Sequence, residues 1–217
     1  MALLVGGTGF FLRALREPFF SSPPTDETLR SRLTKLRERR GATHLHKLLC
    51  RLDPLSAARL NPRDWTRVQR ALEVRLQTGR PLSEQQSARP APPPIASRIH
   101  VCALHPPRAE LYRRIDARTE AHFRAGLVEE VRGLLERGVP PASNALGAHA
   151  YRRVVEYLQG ARSLESAVEQ SKLDVRHYAK RQLTWFRREP GTRWFDGFGD
   201  DPQVQQQVAE YVKEVTR

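Results

Sequence analysis

The stretch Ala2-Leu3-Leu4-Val5-Gly6-Gly7-Thr8-Gly9-Phe10-Phe11-Leu12, followed by Ala14 and Leu15, decides the fold class. An apolar run, a glycine turn and a resumed apolar pattern at helical spacing predict a buried strand, a tight turn and a helix, which is how an α/β sheet presents a loop to a ligand. Bare amides and the Thr8 hydroxyl at the positive end of a helix suit an anion or a substrate edge. The stretch is neither a Walker phosphate loop nor a dinucleotide fingerprint, so the turn alone could equally be structural.

Further strands are expected at residues 98–104 and 193–195. Between them the pattern is helical. Thr25 with Asp26 and Glu27, Asp53-Pro54 and Asn61-Pro62 read as helix starts, and Thr78-Gly79 as a stop. Three or four short helices are therefore expected over residues 25–77. Residues 81–97, with Pro90, Pro92, Pro93 and Pro94, read as a linker unable to join a helix or central strand. The second half predicts helices around residues 111–135, 151–158 and 163–189, the last ended by Pro190-Gly191, and one begun by Asp200, Asp201 and Pro202 with a Val204, Val208, Val212, Val215 packing stripe. This gives a core of residues 1–20 and 97–217, with residues 21–96 as a helical insertion plus linker.

The 217 residues carry 37 Lys plus Arg against 24 Asp plus Glu, a formal charge of +13. Lysine occurs only at Lys35, Lys47, Lys172, Lys180 and Lys213. An arginine-rich surface points to phosphate-bearing partners, nucleic acid before acidic membrane, although a GC-rich genome accounts for much of the bias. Cys50 and Cys102 lack metal-ligand spacing, so a reducing cytoplasm, no disulfide and no zinc are expected. No signal peptide is expected, and no apolar run approaches membrane-spanning length.

Two segments concentrate chemistry. In residues 61–73, Trp65, Val68 and Leu72 share one helical face while Arg63, Arg67 and Arg70 share another, either a solvated basic face or a phosphate grip. In residues 176–188, Tyr178, Gln182 and Trp185 form a stripe among five basic residues, the usual parts of RNA recognition, although Trp185 could equally be core and Phe186 reads as core. Arg114 and Arg118 lie one turn apart, and for such a pair surface ion pairs with Asp116 and Glu120 are expected. His122, His149 and His177 have no acidic or thiol neighbour that makes a triad or metal site.

Taken in order, Leu4-Val5-Gly6-Gly7-Thr8-Gly9-Phe10-Phe11-Leu12, Leu52-Asp53-Pro54, Asn61-Pro62-Arg63-Asp64, Arg67-Val68-Gln69-Arg70-Ala71-Leu72-Glu73-Val74, Thr78-Gly79 and Ala179-Lys180-Arg181-Gln182-Leu183-Thr184-Trp185-Phe186-Arg187 resemble the bacterial tRNA dimethylallyltransferase family across essentially the whole chain. The resemblance implies part of a P-loop NTPase-like, nucleotide-binding α/β core with an inserted all-helical module. It implies transfer of a dimethylallyl group from dimethylallyl diphosphate to the exocyclic amine of the adenine beside the tRNA anticodon. Magnesium, held mostly by family residues upstream of the glycine turn, would assist the diphosphate, and the base would be flipped into a channel.

The resemblance further implies Arg118 as a diphosphate ligand. It implies tRNA contacts at Thr8 and Arg30, at Trp65, Thr66, Arg67, Val68 and Gln69, at Ala145, Leu146, Gly147, Ala148, His149, Ala150 and Tyr151, and at Ala179, Lys180, Arg181, Gln182, Leu183, Thr184, Trp185 and Phe186. The chain departs from the family in having Ala150 before Tyr151, where glycine is usual. The family's phosphate loop and general-base aspartate, which lie upstream of the glycine turn, are not found in these residues, so the chain by itself is expected to be an inactive, truncated member. A cytoplasmic monomer binding the anticodon stem-loop is expected. A non-catalytic tRNA-binding protein is the alternative; an enzyme prenylating free adenine nucleotides would not need the two basic helices.

Overall fold

The computed structural model describes residues 2–19, 22–88 and 90–216. The chain divides into two compact units, Phe10–Ile99 and Met1–Gly9 with His100–Arg217. Of the boundaries expected from the sequence, 20/21 falls on residues outside those described and 96/97 lies three residues before the observed one.

The first helix, α1 (Gly9–Arg16), follows the glycine turn. The helical unit is then built from α2 (Glu27–Arg40), α3 (Ala42–Leu52), α4 (Pro54–Arg59), α5 (Trp65–Thr78), α6 (Leu82–Ser87) and a 3₁₀ turn at Pro94–Arg98. Its caps follow the sequence signals. Asp26 accepts from the Leu29 amide at 3.0 Å, Asp53 accepts from the Ser56 amide at 3.0 Å ahead of Pro54, and Gly79 closes α5 with a left-handed φ of 72°.

Two expectations for this unit are corrected. Helix α5 starts at Trp65 rather than at Pro62, because Asn61 spends its side chain on a local turn to the Arg63 amide at 2.8 Å while Asp64 accepts from the Arg67 amide at 3.3 Å and becomes the cap. Residues 81–97 do hold helices. Pro81 sits at the cap of α6, where a missing N–H costs nothing. The apolar core gathers Leu33, Leu45, Leu49, Ala57, Val68, Ala71 and Leu72.

In the other unit, β1 (Val101–Leu104) pairs in parallel with β2 (Thr192–Phe195), Val101 opposite Thr192 and Leu104 opposite Phe195. Around them lie α7 (Arg108–Arg124), α8 (Leu127–Glu136), α9 (His149–Leu158), α10 (Leu164–Phe186) and α11 (Pro202–Val215). Ser163 and Asp201 cap α10 and α11 through the Ser166 and Gln203 amides. Leu127, Val131, Leu146, Val154 and Val155 form the core beneath α8 and α9.

The expected strand at residues 2–5 is absent. These residues are irregular, with Leu3, Leu4 and Val5 exposed at 76, 77 and 91%. An apolar run becomes a strand only where a neighbour takes its amides and carbonyls, and neither β1 nor β2 pairs with it. Cys50 and Cys102 are free thiols on α3 and β1. Among the described residues, no helix is long and apolar enough to cross a membrane.

Candidate functional site

The glycine turn lies against the stripe that the spacing of α10 creates. Gln182 donates from Nε2 to the Gly7 carbonyl at 2.9 Å, and the Thr8 and Tyr178 hydroxyl oxygens are 3.5 Å apart. A Cβ on Gly7 would run into the Gln182 amide, and one on Gly9 into the Trp185 ring. At Gly9 glycine is therefore required by close approach to the Trp185 ring of α10, whereas at Gly7 the flexible end of Gln182 can shift aside. On the other side of Tyr178, the His149 ring stands 5.1 Å away, and the Arg181 guanidinium lies 5.7 Å over the Tyr178 ring. Trp185 and Phe186 meet edge to face at 4.9 Å.

Three candidate segments far apart in sequence thus converge: the turn with Thr8, the start of α9 with His149, and the last half of α10. Within residues 145–151 the side chains divide. Leu146 is buried in the α8/α9 core and Tyr151 donates to Glu130 at 2.6 Å, whereas Ala145, Gly147 and Ala148 are exposed and His149 and Ala150 half-buried. Within 179–186, Lys180, Arg181 and Thr184 are exposed and Ala179, Gln182, Leu183, Trp185 and Phe186 half-buried.

Helix α10 changes character along its length. Its first half is pinned by ion pairs, Lys172 to Glu120 at 2.8 Å, Asp174 to Arg153 at 2.7 Å and Arg176 Nε to Asp116 at 2.9 Å. Beyond that point, Lys180, Arg181 and Arg188 have no carboxylate partner among the described residues, and Arg187 approaches only His105, at 3.5 Å. Burial pushes the Asp174 carboxyl up, but the hydrogen bonds from Arg153 and Gln170 outweigh it, leaving it below its usual range.

On α7 the expected pairing is corrected. Arg114 bonds Glu110 at 3.2 Å and Asp200 at 2.6 Å, because both carboxylates lie nearer than Asp116 and Glu120, which α10 takes through Arg176 and Lys172. Arg118 is left exposed, with no ion pair among the described residues.

In the helical unit, Trp65, Thr66 and Arg67 are exposed, with Arg37 4.1 Å over the Trp65 ring and Arg67 paired with Asp64. Val68 and Gln69 are buried. Arg30 is committed to the fully buried Glu73, donating from Nε to Oε1 at 2.9 Å and from Nη2 to Oε2 at 3.0 Å. Gln69 links the two helices, donating to the Arg30 carbonyl at 3.2 Å and to Glu73 at 3.4 Å. Burial pushes the Glu73 carboxyl up, yet the Arg30 fork and its charge, with Arg70 and Gln69, bring it below its usual range. Sequence reading missed Glu73, since nothing in a helical period marks a carboxylate as buried.

Among the described residues, no three His, Cys, Asp or Glu side chains converge on one point that could hold a metal ion.

The IPP transferase family model matches residues 1–189. The chain belongs to the IPP transferase family. Among its relatives, the tRNA dimethylallyltransferase of Solibacter usitatus is 42% identical over 212 residues, covering 98% of this chain and 68% of that protein. That of Geobacter sulfurreducens is 44% identical over 197 residues, covering 89% and 62%. The IPP transferase chain thus spans roughly two thirds of such relatives.

Of solved structures, the tRNA isopentenylpyrophosphate transferase of Bacillus halodurans is 29% identical, with a TM-score of 0.57 over 96% of this chain and 66% of that one. A eukaryotic dimethylallyltransferase acting on tRNA, 22% identical over 97% and 56%, shares the fold with a TM-score of 0.69. The fold is that of these P-loop NTPase-like enzymes, here mostly helical with a small parallel sheet.

Proposed function

We propose that this chain provides the tRNA-holding surface and a diphosphate contact for dimethylallyl transfer to the exocyclic amine of the adenine beside the anticodon. The observation that carries the reading is the convergence of the Thr8 turn, His149 and the aromatic stripe of α10, next to cations that no carboxylate among the described residues neutralises. In this reading Thr8 and Tyr178 hold hydroxyls at the mouth through which a flipped base enters, and the half-buried rings of α10 line it. Lys180, Arg181 and Arg188 neutralise backbone phosphates.

Arg118, a guanidinium without a carboxylate partner among the described residues, faces the departing diphosphate, whose growing negative charge its planar fork suits. Magnesium would assist that leaving group when bound. The exposed Trp65, Thr66 and Arg67 are further tRNA contacts, while the buried Val68 and Gln69 and the committed Arg30 support them from below. Membership of the family supports the chemistry, and the protein would act as a cytoplasmic monomer.

The test is to incubate the chain with anticodon stem-loop RNA and labelled dimethylallyl diphosphate, measuring both binding and label transfer. RNA binding that weakens steeply with salt is the expected result, and its absence would overturn the reading. Label in the RNA would assign the whole reaction to these residues; binding without label is the outcome expected of this chain by itself.

A further inference from the structure

An open cleft of about 280 Å³ lies between α9 and α10, lined by Gly147, His149, Arg152, Asp174, His177 and Arg181, with Arg153 at its wall. Its charge is unevenly used. Asp174 is the carboxylate of this lining, and Glu156 bonds the lining residues Arg152 and Arg153. Both are taken by Arg153, at 2.7 Å and 2.9 Å, and Glu156 also accepts from Arg152 Nε at 3.2 Å. Arg181 and His177 have no carboxylate partner among the described residues, and the Arg152 Nη groups are not used in its bond to Glu156.

Three donors from two rigid helices therefore face one polar hollow, and the anionic groups nearby are already bonded. Neutral ligands do not need such a set, whereas one tetrahedral anion does. The cleft also opens beside the Tyr178 ring, which joins Arg181 and His149 to the Thr8 turn.

We infer that this cleft binds a single backbone phosphate of RNA through Arg181, His177 and Arg152, fixing the strand beside the glycine turn. Neither His177 nor Arg152 belongs to the segments assigned to tRNA above. The inference rests on the tRNA reading and adds to it a defined phosphate position.

The test uses the full chain and an unmodified anticodon stem-loop, with affinity measured by fluorescence anisotropy across a potassium chloride series. One phosphate contact contributes a slope of roughly 0.7 to 0.9 in log affinity against log salt, or about five- to eightfold in affinity at 0.1 M salt. The double variant H177Q/R181Q should lose that much slope and affinity. R181K, which keeps the charge, should retain the slope. R113Q removes an equal charge from α7, at a residue that pairs with Glu110 and does not line this cleft, and should leave the slope unchanged.

A slope unchanged in H177Q/R181Q while the wild type binds RNA would overturn this inference alone. An equal drop in R113Q would also overturn it, by showing a diffuse field instead of a site. Absence of salt-dependent binding in the wild type would instead overturn the tRNA reading beneath it. Circular dichroism separates misfolding from lost contact, and the exposure of His177 and Arg181 favours folded variants.

Discussion

Replacing Glu73 by glutamine should destabilise the helical unit by about 2–3 kcal/mol, and the size follows from the geometry. The carboxylate is 0% exposed and takes the Arg30 fork at 2.9 and 3.0 Å, Arg70 at 3.3 Å and Gln69 at 3.4 Å. Removing one member of a buried ion pair costs roughly 3–5 kcal/mol when the other is left dry. Here the Arg30 and Arg70 side chains are 41% and 32% exposed, so each regains water and the cost falls to the lower figure. For a domain of this size that is a fall of roughly 10–20 °C in Tm.

The assay is urea and thermal unfolding followed by circular dichroism, with Trp65 fluorescence as a local reporter. The pH dependence checks the cause. Because the folded Glu73 carboxyl lies below its usual value, its contribution is complete above about pH 4.3 and is lost as pH falls through the lower folded value. E73Q should therefore lose less stability than the wild type over that acid window. A loss under about 0.5 kcal/mol, or the same loss in an Arg30→Met background, would refute the reasoning, since coupled partners must interact.

Gly9→Ala should push the turn off Trp185 and weaken stem-loop affinity severalfold with little change in Tm, read by anisotropy and Trp fluorescence; unchanged affinity would remove the turn from the RNA surface. Arg118→Ala, in a chain that turns over dimethylallyl diphosphate, should lower kcat at least tenfold while tRNA affinity holds, because removing a charge-assisted bond to a departing anion costs roughly 1.5–3 kcal/mol. Asp53→Ala removes the acceptor of the Ser56 amide, the Ser83 amide and the Ser83 hydroxyl, and should cost about 2 kcal/mol in urea unfolding.

Local signals were the legible ones. Asp26, Asp53, Ser163 and Asp201 cap helices because a carboxylate or hydroxyl beside a helical period satisfies an amide wherever the rest of the chain lies. The Tyr178, Gln182, Trp185 stripe was readable from spacing alone, and the glycines of the turn from their type. Pairings across elements were not. That Asp200 would draw Arg114, or that Glu73 would lie buried under Arg30, depends on elements dozens of residues apart. The failed strand at residues 2–5 has the same cause, since hydrophobicity marks a candidate strand and only a partner makes one.

The central claim is that the Thr8 turn, the start of α9 and the last half of α10 form one RNA-contact surface. Photocrosslinking of an anticodon stem-loop to the chain, with the modified peptides mapped by mass spectrometry, tests it most directly. The account predicts crosslinks in peptides holding His149, Tyr178 and Trp185. Crosslinks confined to α11 and β2, or none from a bound complex, would contradict it.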